Sequence, residues 1–81
     1  MKVPKDIKGR EVLKLLNKHY GYEKTRQVGS HIRATTTQNG QHHISIPDHN
    51  PIKENTLKGI ITDVSKHFGI SADEVCQVLF G

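Results

Sequence analysis

One histidine of this chain lies in a setting that suits chemistry on a phosphodiester. His31 directly follows Gly29 and Ser30, and arginines lie on both sides of it, at Arg26 and Arg33. An imidazole can take up or release a proton near neutral pH, and a guanidinium group binds phosphate through paired hydrogen bonds. These residue types predict that His31 acts as an acid or base on the backbone of a nucleic acid. The alternative is an ordinary surface histidine.

Several polar residues are candidates for holding a phosphate beside His31. They lie close to it along the chain or on a neighbouring predicted strand, and they are Lys24, Arg26, Gln27, Ser30, Arg33 and His43. Each could equally be a solvated strand residue, because the register of the first predicted strand is open. His43 is also a candidate for a second acid or base.

The charge of the chain is divided unequally along its length. The formal net charge is +4, and residues 1–34 hold nine Lys and Arg against three acids, whereas residues 35–81 hold three against five. A basic half favours a polyanionic partner, although the same charge would also serve solubility. Arg10, Lys14 and Lys18 form a basic helical stripe that could follow an RNA backbone or simply face solvent.

The composition predicts one small cytoplasmic domain. The chain has 81 residues, of which 33% are hydrophobic, so residues 1–81 have room for one compact core and for a site on its surface. A lone cysteine, Cys76, leaves no partner for an internal disulfide and fits a reducing cytosol. We expect neither a signal peptide nor a membrane span, because no long apolar run occurs.

Helical periodicity is clear in the first and last thirds of the chain. It predicts one helix over residues 9–20 and a second from residue 55 or 56 to residue 69, and a capping box at residues 71–74 predicts a short last helix. The apolar stripes are Val12, Leu15, Leu16 and His19 in the first helix, Leu57, Ile60, Ile61, Val64 and Phe68 in the second, and Val75, Val78 and Leu79 in the third.

Three short strands are predicted between the first two helices. They cover residues 22–27, 30–37 and 42–46, and residues 47–55 form a loop. Asn39 and Gly40 mark the hairpin turn between the second and third strands, because both residues tolerate a positive φ. The predicted order is α-β-β-β-α with a small terminal helix, which is an α+β fold with a three-stranded antiparallel sheet.

Alternation in the second and third strands predicts which side chains share a face. The apolar residues at alternate positions should face the helices, and they are Ile32, Ala34, Ile44 and Ile46. The residues between them should share the open face of the sheet, and they are His31, Arg33, His43 and Ser45. The first strand has a polar interior, so alternation assigns no buried face to it.

The remaining histidines raise the question of a metal ion. His42, His43 and His49 lie close together in the sequence, but adjacent residues of a strand point to opposite faces. His42 and His43 therefore cannot easily share one ion, and we predict neither a metal site nor a cofactor.

The segments of this chain, taken in order, resemble the HicA family (YcfA-like) of mRNA interferases, the toxins of type II toxin–antitoxin pairs. The matching segments are residues 9–16, Arg26-Gln-Val-Gly-Ser-His31, Ile44-Ser-Ile-Pro47, Pro51-Ile-Lys, Thr56-Leu-Lys-Gly-Ile-Ile61 and Gly69-Ile-Ser71. No single segment is specific, but the ordered set at these spacings is.

This resemblance implies a fold like the double-stranded-RNA-binding domain and ribosome-independent, metal-independent cleavage of mRNA. The histidine of the family's Gly-Ser-His motif is the essential catalytic residue, and it corresponds to His31. The resemblance also implies a HicB-type antitoxin that covers the His31 face, with DNA bound only through that antitoxin. The alternative hypothesis is a non-catalytic RNA-binding module of the same fold, in which His31 is merely a contact.

Overall fold

The computed structural model describes residues 1–81 as three helices and a three-stranded antiparallel sheet. The elements are α1 (Gly9–Tyr20), β1 (Glu23–Val28), β2 (His31–Thr36), β3 (His42–Pro47), α2 (Glu54–Phe68) and α3 (Ala72–Phe80). The strand order is β1-β2-β3, so β2 is the central strand. This architecture confirms the predicted α+β fold, with boundaries one or two residues from the predicted ones. No helix has the length and apolar character that crossing a membrane requires.

One hydrophobic cluster joins the helices to one face of the sheet. It has 17 buried residues, including the four alternating apolar residues of β2 and β3. The predicted burial is wrong for two residues of the helical stripes. His19 is exposed, and Val78 is 41% exposed on the outer side of α3. Tyr22 is fully buried between α1 and β1, although the alternation of the first strand assigned it no face.

The predicted helix ends are confirmed by their hydrogen bonds. Gly69 has a φ of 67°, and the Ile70 amide donates to the Ser65 carbonyl oxygen at 3.1 Å, which closes a Schellman motif. At the start of α3 the Glu74 amide donates to Ser71 Oγ at 3.0 Å. These local bonds satisfy backbone groups that a helix end leaves without partners, and so they fix where α2 ends and α3 begins.

The register of β2 against β3 follows the hydrophobic pattern. Ile32 lies opposite Ile46, and Ala34 lies opposite Ile44. All four side chains are buried against the helices, because partners across an antiparallel pair share a face. The polar residues between them are therefore turned to the other side of the sheet, as alternation predicted.

The turn between β2 and β3 is held against the end of α2. Asn39 and Gly40 have φ values of 56° and 94°, which confirms the predicted turn position. Asn39 Nδ2 donates to the His67 carbonyl oxygen at 2.8 Å. His67 Nε2 lies 2.9 Å from the Gln38 carbonyl oxygen and 3.0 Å from that of Gly40, so this nitrogen carries the proton and donates.

His67 also stacks on the imidazole of His42, with 4.4 Å between ring centroids. The Tyr22 hydroxyl lies 2.8 Å from His42 Nδ1. Burial raises the pKa of Tyr22 to about 12, so the phenol keeps its proton. Its hydroxyl therefore donates a hydrogen bond to His42 Nδ1. Burial, and then the neighbouring His67, hold the pKa of His42 below its ordinary value; His43 acts in the same direction and Asp63 opposes them.

We expect this lowered pKa to make the fold less stable in mild acid. Above the unfolded pKa of about 6.5 the full free energy of unfolding is present, and it falls as the pH decreases towards the lower folded pKa of His42, because the unfolded chain binds the proton more readily. Urea denaturation at about pH 7.5 and about pH 5.5 measures the difference. A His42→Gln variant, which cannot titrate, should show a smaller difference; an unchanged difference would exclude His42 as its source.

The first strand contains a β-bulge that decides its faces. Lys24 pairs with Ala34 and Arg26 pairs with Arg33, so Thr25 is an extra residue in β1. Two consecutive residues of a bulged strand then lie opposite one residue of the partner. As a result Arg26 lies on the same side of the sheet as Arg33, whereas Lys24 lies on the side of Ala34 and the helices.

Candidate functional site

The face of the sheet that points away from the helices is covered by no other element. We call it the open face, and it carries Arg26, Val28, His31, Arg33, Thr35, His43 and Ser45. All of these side chains are exposed except Thr35, which is half-buried. A three-stranded sheet with one such face can bind a large polar partner without any change of fold.

Two arginines lie directly opposite each other on the open face. Arg26 of β1 pairs with Arg33 of β2, and neither forms a salt bridge. Like charges directly across a sheet destabilise it, and a bound anion would remove that repulsion. Both border a groove of about 410 Å³, which we call the arginine groove, and its other walls include Val28, His31, His43 and Asp63. The pair is therefore suited to a phosphate.

His31 is the first residue of the central strand. It lies opposite Val28 of β1 and Pro47 of β3, and its side chain is exposed. Together with Ser45 it borders both the arginine groove and a second depression of about 340 Å³. His31 thus borders two concave surfaces, so a chain that passes from one to the other would contact it.

The second depression lies beside the loop that follows β3. Its walls are His31, Ser45, Pro47, His49, Lys53 and Thr56. We call it the loop depression. Two imidazoles and one ammonium group therefore border a single concave surface, although His49 lies 18 positions after His31 in the sequence.

Several hydrogen bonds hold the β3–α2 loop against α1 and against the turn at Ser30, which precedes His31. The Asp48 amide donates to the Ser30 carbonyl oxygen at 2.6 Å, and the Gly9 amide donates to the His49 carbonyl oxygen at 2.9 Å. The Arg10 guanidinium donates to both carboxylate oxygens of Asp48, with Nη2 at 2.9 Å from Oδ2. This hydrogen bonding lowers the pKa of Asp48.

Close packing at the start of α1 supports the same loop. A Cβ at Gly9 would collide with the carbonyl oxygen of Pro47, so α1 can approach the end of β3 this closely only with glycine at that position. The loop is thereby fixed between α1 and the Ser30 turn. Arg10 was predicted as part of a possible RNA-binding stripe on α1. In the structure its guanidinium forms a salt bridge with Asp48.

The structure places five of the six predicted phosphate ligands on two different sides of the sheet, and Ser30 in the turn before β2. Arg26, Arg33 and His43 are on the open face with His31. Lys24 and Gln27 lie opposite Ala34 and Ile32, on the helix side of the sheet. Their paired positions make them unsuited to reach a phosphate held at His31.

Ser30 and Gln27 have local structural contacts. Ser30 supplies its carbonyl oxygen to the Asp48 amide. Gln27 Nε2 donates to the Gly29 carbonyl oxygen at 3.1 Å and to Asp48 Oδ2 at 3.4 Å. Both residues therefore stabilise the turn that carries His31.

His43 is on the predicted face but not beside His31. It pairs with Thr35, and its Nδ1 lies 2.7 Å from Thr35 Oγ1. The position opposite His31 on β3 is Pro47, four residues further along, which places His43 roughly 13 Å away along the strand. His49, which the sequence singled out only as a metal candidate, borders the loop depression together with His31, whereas His43 borders the groove of the two arginines together with His31. No group of three or more His, Cys, Asp or Glu side chains is arranged to hold a metal ion.

Comparison with known proteins supports the family that the segments resemble. A family model described as the HicA toxin of bacterial toxin–antitoxin systems matches residues 9–68. Neither the curated proteins nor the solved structures give a match. The matched range runs from the first residue of α1 to the last residue of α2 and includes the whole sheet. The chain therefore belongs to the HicA toxin family, and it is the toxin of a toxin–antitoxin pair whose partner is an antitoxin.

Proposed function

We propose that this toxin is a ribosome-independent endoribonuclease that cleaves mRNA, with His31 as the residue that exchanges a proton with the substrate. The observation that carries the proposal is the position of His31 on the open face, next to two arginines that form no salt bridge. A polyanion laid across the sheet would meet the cations and the imidazole together. Membership of the HicA toxin family supports the same conclusion.

The proposed reaction uses the nucleophile that RNA itself carries. A base removes the proton of the ribose 2′-hydroxyl, whose oxygen attacks the adjacent phosphorus and forms a bond with it. The bond from phosphorus to the 5′ oxygen then breaks, and that oxygen receives a proton. The products are a 2′,3′-cyclic phosphate and a 5′-hydroxyl end. Because the nucleophile is internal, no metal ion is needed to supply one.

Arg26 and Arg33 would stabilise the charge that develops on phosphorus. A phosphorane carries more negative charge on its oxygens than the diester from which it forms, so fixed guanidinium groups bind it more strongly than they bind the substrate. Positioned acid–base catalysis contributes about 10²–10⁴-fold. Such modest acceleration is sufficient for a toxin that can attack many messages.

A HicB-type antitoxin would inhibit by covering the open face. Val28 is 61% exposed there, directly opposite His31, so the face offers an apolar contact among cations. Acidic side chains of the antitoxin, placed beside Arg26 and Arg33, would relieve the repulsion between these arginines. The phosphates of RNA would have the same effect. In this proposal the toxin reaches DNA only through its antitoxin.

Analysis of the cleaved ends tests the proposed chemistry. Purified toxin is incubated with an RNA transcript in the absence of ribosomes and in the presence of a chelator, and the ends of the fragments are identified by mass spectrometry. We expect 2′,3′-cyclic phosphate or 3′-phosphate on one fragment and 5′-hydroxyl on the other. Fragments with 5′-phosphate and 3′-hydroxyl ends would rule out the proposed mechanism.

The two arginines should also dominate the electrostatic part of RNA binding. In an Arg26→Ala/Arg33→Ala double variant we expect weaker binding and a salt dependence that is shallower by about 1.4 in the slope of log K against log salt, from about 0.7 per phosphate contact on a single strand. Titrations between about 50 and about 200 mM salt measure this slope.

A charge-matched variant separates local contacts from total charge. Lys5 and Lys66 are exposed and lie outside the sheet, so a Lys5→Ala/Lys66→Ala variant loses the same net charge away from the open face. We expect its slope to stay close to that of the unmodified protein. Equal slopes for the two double variants would show that the arginines make no specific phosphate contacts.

A further inference from the structure

We propose that His49 is a second catalytic residue, the general acid that protonates the leaving 5′ oxygen while His31 takes the proton of the 2′-hydroxyl. This inference rests on the proposed endoribonuclease function and goes further by assigning the second proton transfer. The observation that carries it is the loop depression, which His31 and His49 both border. No other histidine borders it.

The chemistry requires two proton transfers at different places. One proton leaves the attacking 2′ oxygen and another must reach the departing 5′ oxygen, because an alkoxide is a poor leaving group near neutral pH. The attacking and leaving oxygens are roughly in line through phosphorus, so a base and an acid must approach from two sides. A single exposed imidazole on a flat sheet is placed for only one of these transfers.

The loop depression supplies a second side. His31 is on the sheet, whereas His49 is on the β3–α2 loop, and the concave surface lies between these elements. His31 also borders the arginine groove, which contains neither His49 nor Lys53. An RNA strand that passes His31 from one concave surface to the other would hold one phosphate in the arginine groove and direct the leaving nucleotide into the loop depression.

The position of His49 is fixed by hydrogen bonds of its backbone and of its neighbour Asp48. None of these contacts uses the imidazole of His49. The backbone on either side of it is tied to the Ser30 turn through the Asp48 amide and to α1 through its own carbonyl oxygen. Arg10 holds the Asp48 side chain as well. These bonds fix the backbone of His49 while leaving its imidazole exposed, which is the combination that a substrate-facing acid needs.

The other polar residues around the depression fit the acid role less well. Hydroxyl groups such as those of Ser45 and Thr56 hold their protons too tightly to release them near neutral pH. Ammonium groups ordinarily titrate near pH 10.4, about four units above imidazoles, and are correspondingly weaker acids. Lys53 therefore suits a phosphate contact. His43 borders the arginine groove and not the loop depression, and its Nδ1 lies 2.7 Å from Thr35 Oγ1, so it is not placed on the side of the leaving nucleotide.

A change of leaving group tests the assignment directly. After the cleavage site in a short RNA has been mapped, two substrates are compared, one with the natural 5′ oxygen and one with sulfur in its place. A thiolate leaves without protonation, so only the oxygen substrate needs the acid. For His49→Gln we expect a loss of about 10²–10⁴-fold on the oxygen substrate and less than about tenfold on the sulfur substrate. His31→Gln should lose activity on both.

The pH profile gives a second readout that a merely structural residue would not change. A base that must be neutral and an acid that must be protonated give a bell-shaped dependence of kcat/KM on pH. His49→Gln should lose the alkaline limb and keep the acid limb. His19→Gln, a matched change on an exposed histidine of α1, should leave both limbs and both substrate rates unchanged.

The outcomes separate this inference from the function on which it rests. Cleavage by the unmodified protein with an equal loss of both substrates in His49→Gln, or with no loss, would overturn the acid role and leave the endoribonuclease standing. No cleavage by the unmodified protein would overturn the endoribonuclease and the acid role together. Because His49 is exposed, the variant should melt at the same temperature as the unmodified protein, and His49→Asn provides a second variant with the same expected pattern.

Discussion

Replacing His31 with glutamine should lower the rate of RNA cleavage by about 10²–10⁴-fold and end growth arrest in cells that express the toxin. Glutamine keeps the size and hydrogen-bonding capacity of the side chain but cannot exchange a proton near neutral pH. The side chain is exposed, so the fold should not change. Single-turnover cleavage of a labelled transcript measures the rate, and circular dichroism verifies the fold.

The same variant also separates the two hypotheses that the sequence leaves open. If the protein were only an RNA-binding module, His31→Gln would change affinity modestly and any cleavage in the preparation would persist. A nuclease should instead keep most of its RNA affinity, because Arg26 and Arg33 are still present, and lose the chemical step. His19→Gln is the control, since it removes an exposed imidazole far from the open face. Persistent cleavage and growth arrest in His31→Gln would contradict the catalytic role.

Replacing Ile32 with alanine, one position along the same strand, should have the opposite effect. Ile32 is fully buried in the core, and truncating such a side chain costs about 2–5 kcal/mol of the free energy of unfolding. That is a large part of the stability of a small domain, which is typically about 5–15 kcal/mol. The cleavage rate per folded molecule should be retained, because Ile32 points away from the open face. Urea denaturation measures the loss.

Arg33→Ala is the matched change on the other side of Ile32. Its side chain is exposed and lies opposite Arg26, so its removal should cost less than about 0.5 kcal/mol or even stabilise the sheet by relieving like-charge repulsion. A cost as large as that of Ile32→Ala would mean that Arg33 is part of the fold. A gain of stability in Arg33→Ala would show that like-charge repulsion on the open face lowers the free energy of unfolding, and that a bound anion could relieve it.

Hydrophobic alternation was enough to predict the face on which His31 lies. In a strand, the side on which a residue points depends only on whether its position is odd or even, so the apolar residues of β2 and β3 assign every polar residue between them. The same odd–even rule restricts the number of residues that the turn between β2 and β3 can contain. A two-residue turn at Asn39 and Gly40 would place Ile46 opposite Arg33, whereas the longer connection pairs Ile46 with Ile32.

The helices were equally predictable because their signals are local. Glycines with positive φ end α1 and α2, and Ser71 caps α3, all within a few residues of the positions they control. The errors arose where a periodic position falls at the rim of the core. His19 and Val78 have the right spacing, but the packing partners needed to bury them are absent at the edge of so small a core.

What the sequence determined by itself was therefore the family, the order of elements, and the placement of His31, Arg33 and His43 on one face. Only the tertiary structure decided how β1 and the β3–α2 loop complete the site. The bulge at Thr25 brings Arg26 opposite Arg33, although a polar strand has no hydrophobic alternation to predict its faces.

The position of His49 depends on contacts between distant parts of the chain. Arg10 meets Asp48 across 38 residues, and the Asp48 amide meets Ser30 across the whole hairpin. Local patterns encode parity and period, which is why they predict the face of His31 well. They do not encode which loop packs beside it, because that is decided by the free energy of bringing α1, the sheet and the loop together.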